Sequence, residues 1–345
     1  MAYQIGDYQF DVKEFFPKRI MERITEIRVH RKEIIEAEAQ ARVRRSSLTT
    51  DGRLTILACD HPARMVTRAG DDPVKMGNRQ EYLGRILRVI TDPEFDGVMG
   101  TTDILEDLFI VNYLVKEGGG RSFLDNKVMI GCLNRGGLAG TSFEMDDSMT
   151  SFTPESVHKM RLDGAKMMFR LDVNNPDSGK TIKYCADVVT QLNRYNIPAF
   201  IEALAVERTD GGYKTRKTVA DQIKVNGVAT ALGDSSRGIW LKIPYVEGFE
   251  EVALSTTCPI LMLGGESRGD PTPTIREFVS GMKIGGSVRG ALVGRNVHFP
   301  GRDDPCAVAG AIHNVVHRNF DVEQAMDYLM DKRGKEMDRL TRYIK

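Results

Sequence analysis

The chain has 345 residues, 41% hydrophobic and 28% charged, with 48 basic residues set against 48 acidic ones. That balance leaves no electrostatic footprint for nucleic acid or an anionic membrane surface, and no apolar stretch nears the roughly 20 residues that span a bilayer. The five cysteines (Cys59, Cys132, Cys185, Cys258 and Cys306) are widely spaced, with no C-x-x-C pair, and the first 30 residues are charged rather than apolar. They read as reduced core thiols of a cytoplasmic protein without a signal peptide.

Residues 1–52 read as a helical extension. Mixed charge with Phe15, Phe16, Ile20, Ile24, Ile27, Ile34 and Ile35 between residues 12 and 45 predicts one or two surface helices, covering a domain floor or a neighbouring subunit. Arg42, Arg44 and Arg45 cluster there, but net neutrality argues against nucleic acid. From residue 53 to 318 the pattern is strand, loop, helix, repeated. Eight strands are predicted: Leu54–Cys59, Gly97–Gly100, Val128–Leu133, Lys166–Asp172, Ala199–Ala205, Ile239–Ile243, Ile260–Leu263 and Gly290–Val293. Helical patterns separate them, among them Arg79–Ile90, Pro154–Leu162, Lys183–Tyr195, Val219–Leu232 and Pro271–Ile284. Such alternation implies parallel strands joined by right-handed crossovers. Eight units favour a closed (β/α)8 TIM barrel over an open doubly wound sheet. Over residues 319–345, Asp321 can cap a helix from Val322 to about Tyr343, packed on the barrel or on a partner subunit of a homo-oligomer.

Catalytic groups of a barrel stand at the carboxyl ends of its strands. In order, those ends supply Asp60-His61, Thr101-Thr102-Asp103, Asn134-Arg135, Arg170 and Asp172, Glu202, Lys242, Gly264-Gly265 and Gly294-Arg295-Asn296. Lys242 stands alone among apolar neighbours in a strand of buried character. Desolvation there disfavours the ammonium and lowers its pKa from about 10.4. A neutral amine can attack a carbonyl and form an imine. At the last two strands, Gly264, Gly265 and Gly294 let backbone amides approach an oxyanion, and Arg295 can add a charge-assisted pair. On the fourth strand Arg170 is favoured as the substrate-facing group because it lies nearer the carboxyl end, with Lys166 as the alternative. The segment Glu207–Lys217 reads as a basic loop that either closes over an anionic substrate tail or stays solvated. The histidines show no HxH or HExxH spacing, and His313 and His317, one helical turn apart, are expected on an outer surface.

Cys59-Asp60-His61-Pro62, Leu241-Lys242, Gly264-Gly265 and Val293-Gly294-Arg295-Asn296 resemble class I, Schiff-base aldolases, over roughly residues 53–318. The resemblance is to the broad family holding deoxyribose-phosphate, archaeal-type fructose-bisphosphate and tagatose-bisphosphate aldolases. Within it the chain looks like barrels associated with inositol breakdown and like sulfosugar-phosphate aldolases. The resemblance implies Lys242 as imine former, Asp60 as a polar contact to substrate or imine, and Gly265, Gly294 and Arg295 as phosphate ligands. Glu202 looks like the carboxylate of tagatose-bisphosphate aldolases, standing where archaeal-type enzymes carry a tyrosine. It implies cleavage of a phosphorylated ketose to dihydroxyacetone phosphate and an aldehyde, with no metal and no cofactor. Candidate substrates are a sulfofructose phosphate, a deoxy-keto-gluconate phosphate, or fructose or tagatose bisphosphate. His61, Asn134, Arg135 and Arg170 are candidate substrate contacts. A phosphate-binding isomerase or a noncatalytic sugar-phosphate sensor stays open, and neither needs an imine-competent lysine.

Overall fold

A computed structural model describes residues 3–135 and 137–345. The strands are β1 (Leu54–Cys59), β2 (Gly97–Gly100), β3 (Val128–Cys132), β4 (Gly164–Leu171), β5 (Ala199–Thr209), β6 (Gly212–Thr215), β7 (Ile239–Pro244), β8 (Ile260–Leu263) and β9 (Val288–Val293). They run in the order β4-β3-β2-β1-β9-β8-β7-β5, and a β4–β5 pairing closes the ring; every barrel pair is parallel. This is the expected (β/α)8 barrel.

Helices α1 (Val12–Phe15), α2 (Lys18–His30) and α3 (Glu33–Ala41) precede it. The outer layer holds α4 (Arg79–Ile90), α5 (Thr102–Glu117), α6 (Pro154–Lys159), α7 (Asp177–Arg194), α8 (Val219–Thr230), α9 (Phe249–Ala253) and α10 (Thr272–Ile284). After β9 come α11 (Arg295–His298), α12 (Pro305–Arg318) and α13 (Val322–Lys332).

Alternation along each strand divides the core in two. Leu54, Ile56 and Ala58 of β1, Met99, Val128, Ile130, Cys132, Phe200, Leu261 and Leu292 point inward and fill the lower barrel, with Leu48 and Trp240 packed beneath them. The intervening positions join the outer core under the helices. No described helix is long and apolar enough to cross a membrane.

Several expectations change. The extension's helices lie against the barrel's side, α1 on α4 and α2 and α3 on α5, instead of covering the floor. Gly84 makes the first contact possible, since a Cβ there would stand 2.4 Å from Val12 Cγ2. The arginine cluster ties down the floor. Arg42 is buried and donates to the carbonyls of Lys127 and Arg161, Arg44 pairs with Asp163, and Arg45 with Asp96. The basic segment after β5 is the antiparallel β5–β6 hairpin, not a loop. His313 is buried and His317 half-buried, stacked at 4.3 Å between centroids, so the outer-surface expectation fails. The C-terminal helix stops at Lys332, because Gly334 takes a left-handed φ of 65° and turns follow to Tyr343. Its N-terminal cap is as expected: Asp321 accepts from Gln324 N in a capping box.

Candidate active site

Four charged side chains meet inside the barrel, above the apolar layers. Asp60 follows β1, Lys166 is on β4, Glu202 on β5 and Lys242 on β7, the last two as direct register partners. Lys166 Nζ lies 2.8 Å from Asp60 Oδ2 and 2.8 Å from Glu202 Oε2. Lys242 Nζ lies 2.9 Å from the same Glu202 oxygen. All four are buried, Lys166 completely.

The two lysines are treated unequally. Burial opposes both ammonium groups, but Asp60 and Glu202 together hold Lys166 above its ordinary pKa. Lys242 has one shared carboxylate and a like charge beside it. Burial therefore prevails over Glu202, Lys166 adds to the effect, and the Lys242 pKa falls below the ordinary lysine value. Burial would raise both carboxyl groups, yet Lys166 and Arg64 hold Asp60 well below its usual range, and Lys166 and Lys242 lower Glu202.

His61 is buried, 3.8 Å from Asp60 Oδ1 and 3.4 Å from the Tyr82 hydroxyl through Nδ1. Desolvation lowers its pKa well below 6.5, so the ring is neutral at pH 7. Gly294 makes room for it: a Cβ there would stand 2.7 Å from His61 Cε1. Gly264 accommodates Asn296, whose Nδ2 donates to the Gly264 carbonyl at 3.1 Å. Gly265, at φ 72°, faces open space, and Arg295 opens α11 with its guanidinium 3.2 Å from Glu266.

The other candidate contacts are held by the protein itself. Asn134 Oδ1 accepts from Met168 N at 2.6 Å, while its Nδ2 donates to Met168 O at 2.8 Å, joining β3's end to β4. Arg135 donates to Thr150 Oγ1 and Thr150 O. Arg170 pairs with Glu144 at 2.6 Å. Lys166, Met168 and Arg170 share β4's inward face by period-two alternation, so Arg170 stands two layers above Lys166, toward the mouth.

A family model for Cgl0159-like proteins matches residues 52–316. The structure of Cgl0159 from Corynebacterium glutamicum is 32% identical with a TM-score of 0.81, over 88% of this chain and 98% of that one. The chain belongs to the Cgl0159-like family. A Schiff-base-forming fructose-1,6-bisphosphate aldolase shares the fold, with a TM-score of 0.56 at 16% identity over 82% of this chain and all of the other. A 2-amino-3,7-dideoxy-D-threo-hept-6-ulosonate synthase 1 from Archaeoglobus fulgidus is 35% identical over 88 residues, 26% of this chain and 32% of that protein. An uncharacterized aldolase from Saccharolobus solfataricus is 26% identical over 159 residues, 45% of this chain and 55% of that protein. The chain thus spans about a third and about half of these two curated relatives. These likenesses agree with the expected resemblance to class I aldolases in the barrel fold, and the matched relatives include proteins named as aldolases.

In this Cgl0159-like barrel, sequence reasoning ranked Lys166 below Arg170 and passed over Arg64. The missed signal for Lys166 was strand length. β4 begins at Gly164, which puts Lys166 inside the strand, level with Cys132 of β3.

Proposed function

We propose that this protein is a class I aldolase that cleaves a phosphorylated ketose to dihydroxyacetone phosphate and an aldehyde through an imine on Lys242. The observation that carries the reading is the unequal pair of buried lysines. Burial, reinforced by Lys166 fixed as a cation between two carboxylates, lowers the pKa of Lys242, and a lysine needs that free amine to attack a ketone. The name of the Saccharolobus relative, an aldolase, and the barrel fold shared with the fructose-1,6-bisphosphate aldolase support an aldolase reading.

Lys242 Nζ attacks the ketone carbon, and the carbinolamine loses water to a protonated imine. Glu202, within reach of Nζ, carries the protons of that dehydration. It then takes the proton from the hydroxyl beyond the bond to be broken, while Asp60 orients the hydroxyls. The carbon–carbon bond breaks, its electron pair passes into the imine to give an enamine, and the aldehyde departs. Protonation of the enamine and attack by water release dihydroxyacetone phosphate. Its phosphate is assigned to Gly265, Arg295 and the amides after Gly264 and Gly294.

Incubation with dihydroxyacetone phosphate and borohydride tests this. One irreversible adduct per chain is expected, located at Lys242 and abolished by Lys242→Ala. Arg295→Ala should weaken trapping at low ligand concentration. No adduct, or one spread over surface lysines, would replace the aldolase with a phosphate-binding isomerase or sensor.

A further inference from the structure

Not every cation at the barrel mouth has a partner. Lys166 and Lys242 face Asp60 and Glu202, Arg170 faces Glu144, and Arg295 faces Glu266. Arg64 is left over. Among the described residues its guanidinium has neither an ion pair nor a hydrogen bond, and its Nε is buried without an acceptor. Arg42 and Arg45 each leave one nitrogen unsatisfied too, but acceptors hold the rest of those guanidiniums. A partly desolvated, unpaired guanidinium destabilises the fold until an anion meets it.

Its position limits what that anion is. Arg64 ends a single turn, Pro62–Arg64, four residues beyond Asp60 at the mouth of β1. The backbone fixes it there. Arg64 N donates to His61 O at 3.1 Å, Arg64 O accepts from Ala139 N at 3.0 Å, and Met65 turns the chain through a left-handed φ of 66°. After Lys166 it is the strongest cationic influence on Asp60, ahead of His61 and Lys242, and its charge also reaches Glu202 and Arg295. The turn after β1 therefore puts Arg64 at the same mouth as the charged tetrad, on the side of Asp60.

In the aldolase reading, on which this inference rests, Asp60 touches the hydroxyls beyond the breaking bond. A group held by Arg64 then belongs to the fragment that leaves as aldehyde. We propose that Arg64 is the specificity residue for that fragment, pairing with an oxyanion group (carboxylate, sulfonate or phosphate) at the end remote from the ketone. The planar fork of a guanidinium suits all three, and it keeps its charge at every working pH. Arg170 and Arg135, candidate substrate contacts in the sequence, already have acceptors within the protein.

The test runs the reaction as condensation. Dihydroxyacetone phosphate is offered with malonate semialdehyde, sulfolactaldehyde, glyceraldehyde 3-phosphate or uncharged glyceraldehyde, using the parent, Arg64→Ala and Arg64→Lys. The parent should prefer one charged aldehyde to the neutral one, and the favoured aldehyde identifies the oxyanion. Arg64→Ala should erase that preference, raising KM for the charged aldehyde about 10- to 150-fold with kcat little changed, and Arg64→Lys should recover part of it. Borohydride trapping of dihydroxyacetone phosphate alone, which lacks the second anion, should proceed as in the parent. An unchanged preference in Arg64→Ala, or a parent indifferent to charge, overturns the assignment. So does a trapping defect in that variant, which would move Arg64 to the ketone-side phosphate. Failure of trapping in the parent strikes instead at the aldolase reading, so the two failures are distinguishable.

Discussion

Glu202 Oε2 stands within 2.9 Å of two lysine nitrogens, so a neutral isostere separates its charge from its shape. Glu202→Gln leaves Lys166 with Asp60 and removes the carboxylate that most raises the pKa of Lys242. The free-amine fraction of Lys242 should therefore rise while proton transfer is lost. Turnover is expected to fall about 10²–10⁴-fold, with borohydride trapping at neutral pH slowed far less, because the larger free-amine fraction offsets the loss of the group that carries the dehydration protons. Near-normal turnover would assign the proton to Asp60 or to water. At this scale the sequence was half legible. Lys242 stood out because a lone cation in an apolar strand breaks the pattern of a buried parallel strand. Burial, the main cause of its lowered pKa, was read from that strand, but the second cause was hidden, because Lys166 lies 76 positions away and reaches Lys242 only through closure of the barrel. A one-dimensional pattern records desolvation but not which charges the fold brings together.

The opposite pole shows how α12 is tied to the barrel. Thr55, near the start of β1, donates its amide to Asp96 Oδ2, and its hydroxyl lies 2.9 Å from His313 Nδ1. His317 spans Asp96 and Asp51, 2.8 Å from each. Burial works against the charged form of both histidines, but with opposite outcomes. His313 falls to about 4, whereas the two aspartates raise His317 above its ordinary value. A raised folded pKa contributes stability that is complete below the unfolded value of about 6.5 and is lost as pH rises through the folded value. His317→Ala should thus cost about 1.5–3 kcal/mol at pH 6, and the cost should shrink steadily above that pH. Urea unfolding of parent and variant at pH 6 and pH 9 checks it, and an equal loss at both would mean that the imidazolium charge contributes nothing. Period and spacing placed these histidines on a helix correctly. They could not say which face meets the floor, since Asp96 and Asp51 come from loops with no periodicity to read.

For the whole molecule, closure of the ring was legible because eight apolar strands alternate with helices, and only a barrel satisfies so many parallel strands without edges. What lay outside the repeat was read less well. Helices α1–α3 bury Phe15, Phe16 and Ile20 on the barrel's side, a contact set by local fit such as that of Val12 at Gly84 and not by any period. The same architecture bears on the source of catalytic polarisation. In an imine enzyme the protonated nitrogen is the electron sink, so a divalent cation is not needed to polarise the carbonyl. Around Lys242 the carboxylates Asp60 and Glu202 are each in contact with an ammonium nitrogen, and a cation seated there would have to displace one. Among the described residues, the His and Asp side chains that converge as a group of three, Asp96, His313 and His317, lie at the far pole from the lysines. Prolonged chelator treatment followed by gel filtration should therefore leave the aldol rate and the Lys242 adduct unchanged. A loss of rate restored by Zn²⁺, with the adduct absent throughout, would move the reaction to metal-assisted enolisation. A loss of melting temperature with the rate intact would instead assign a metal to the floor cluster.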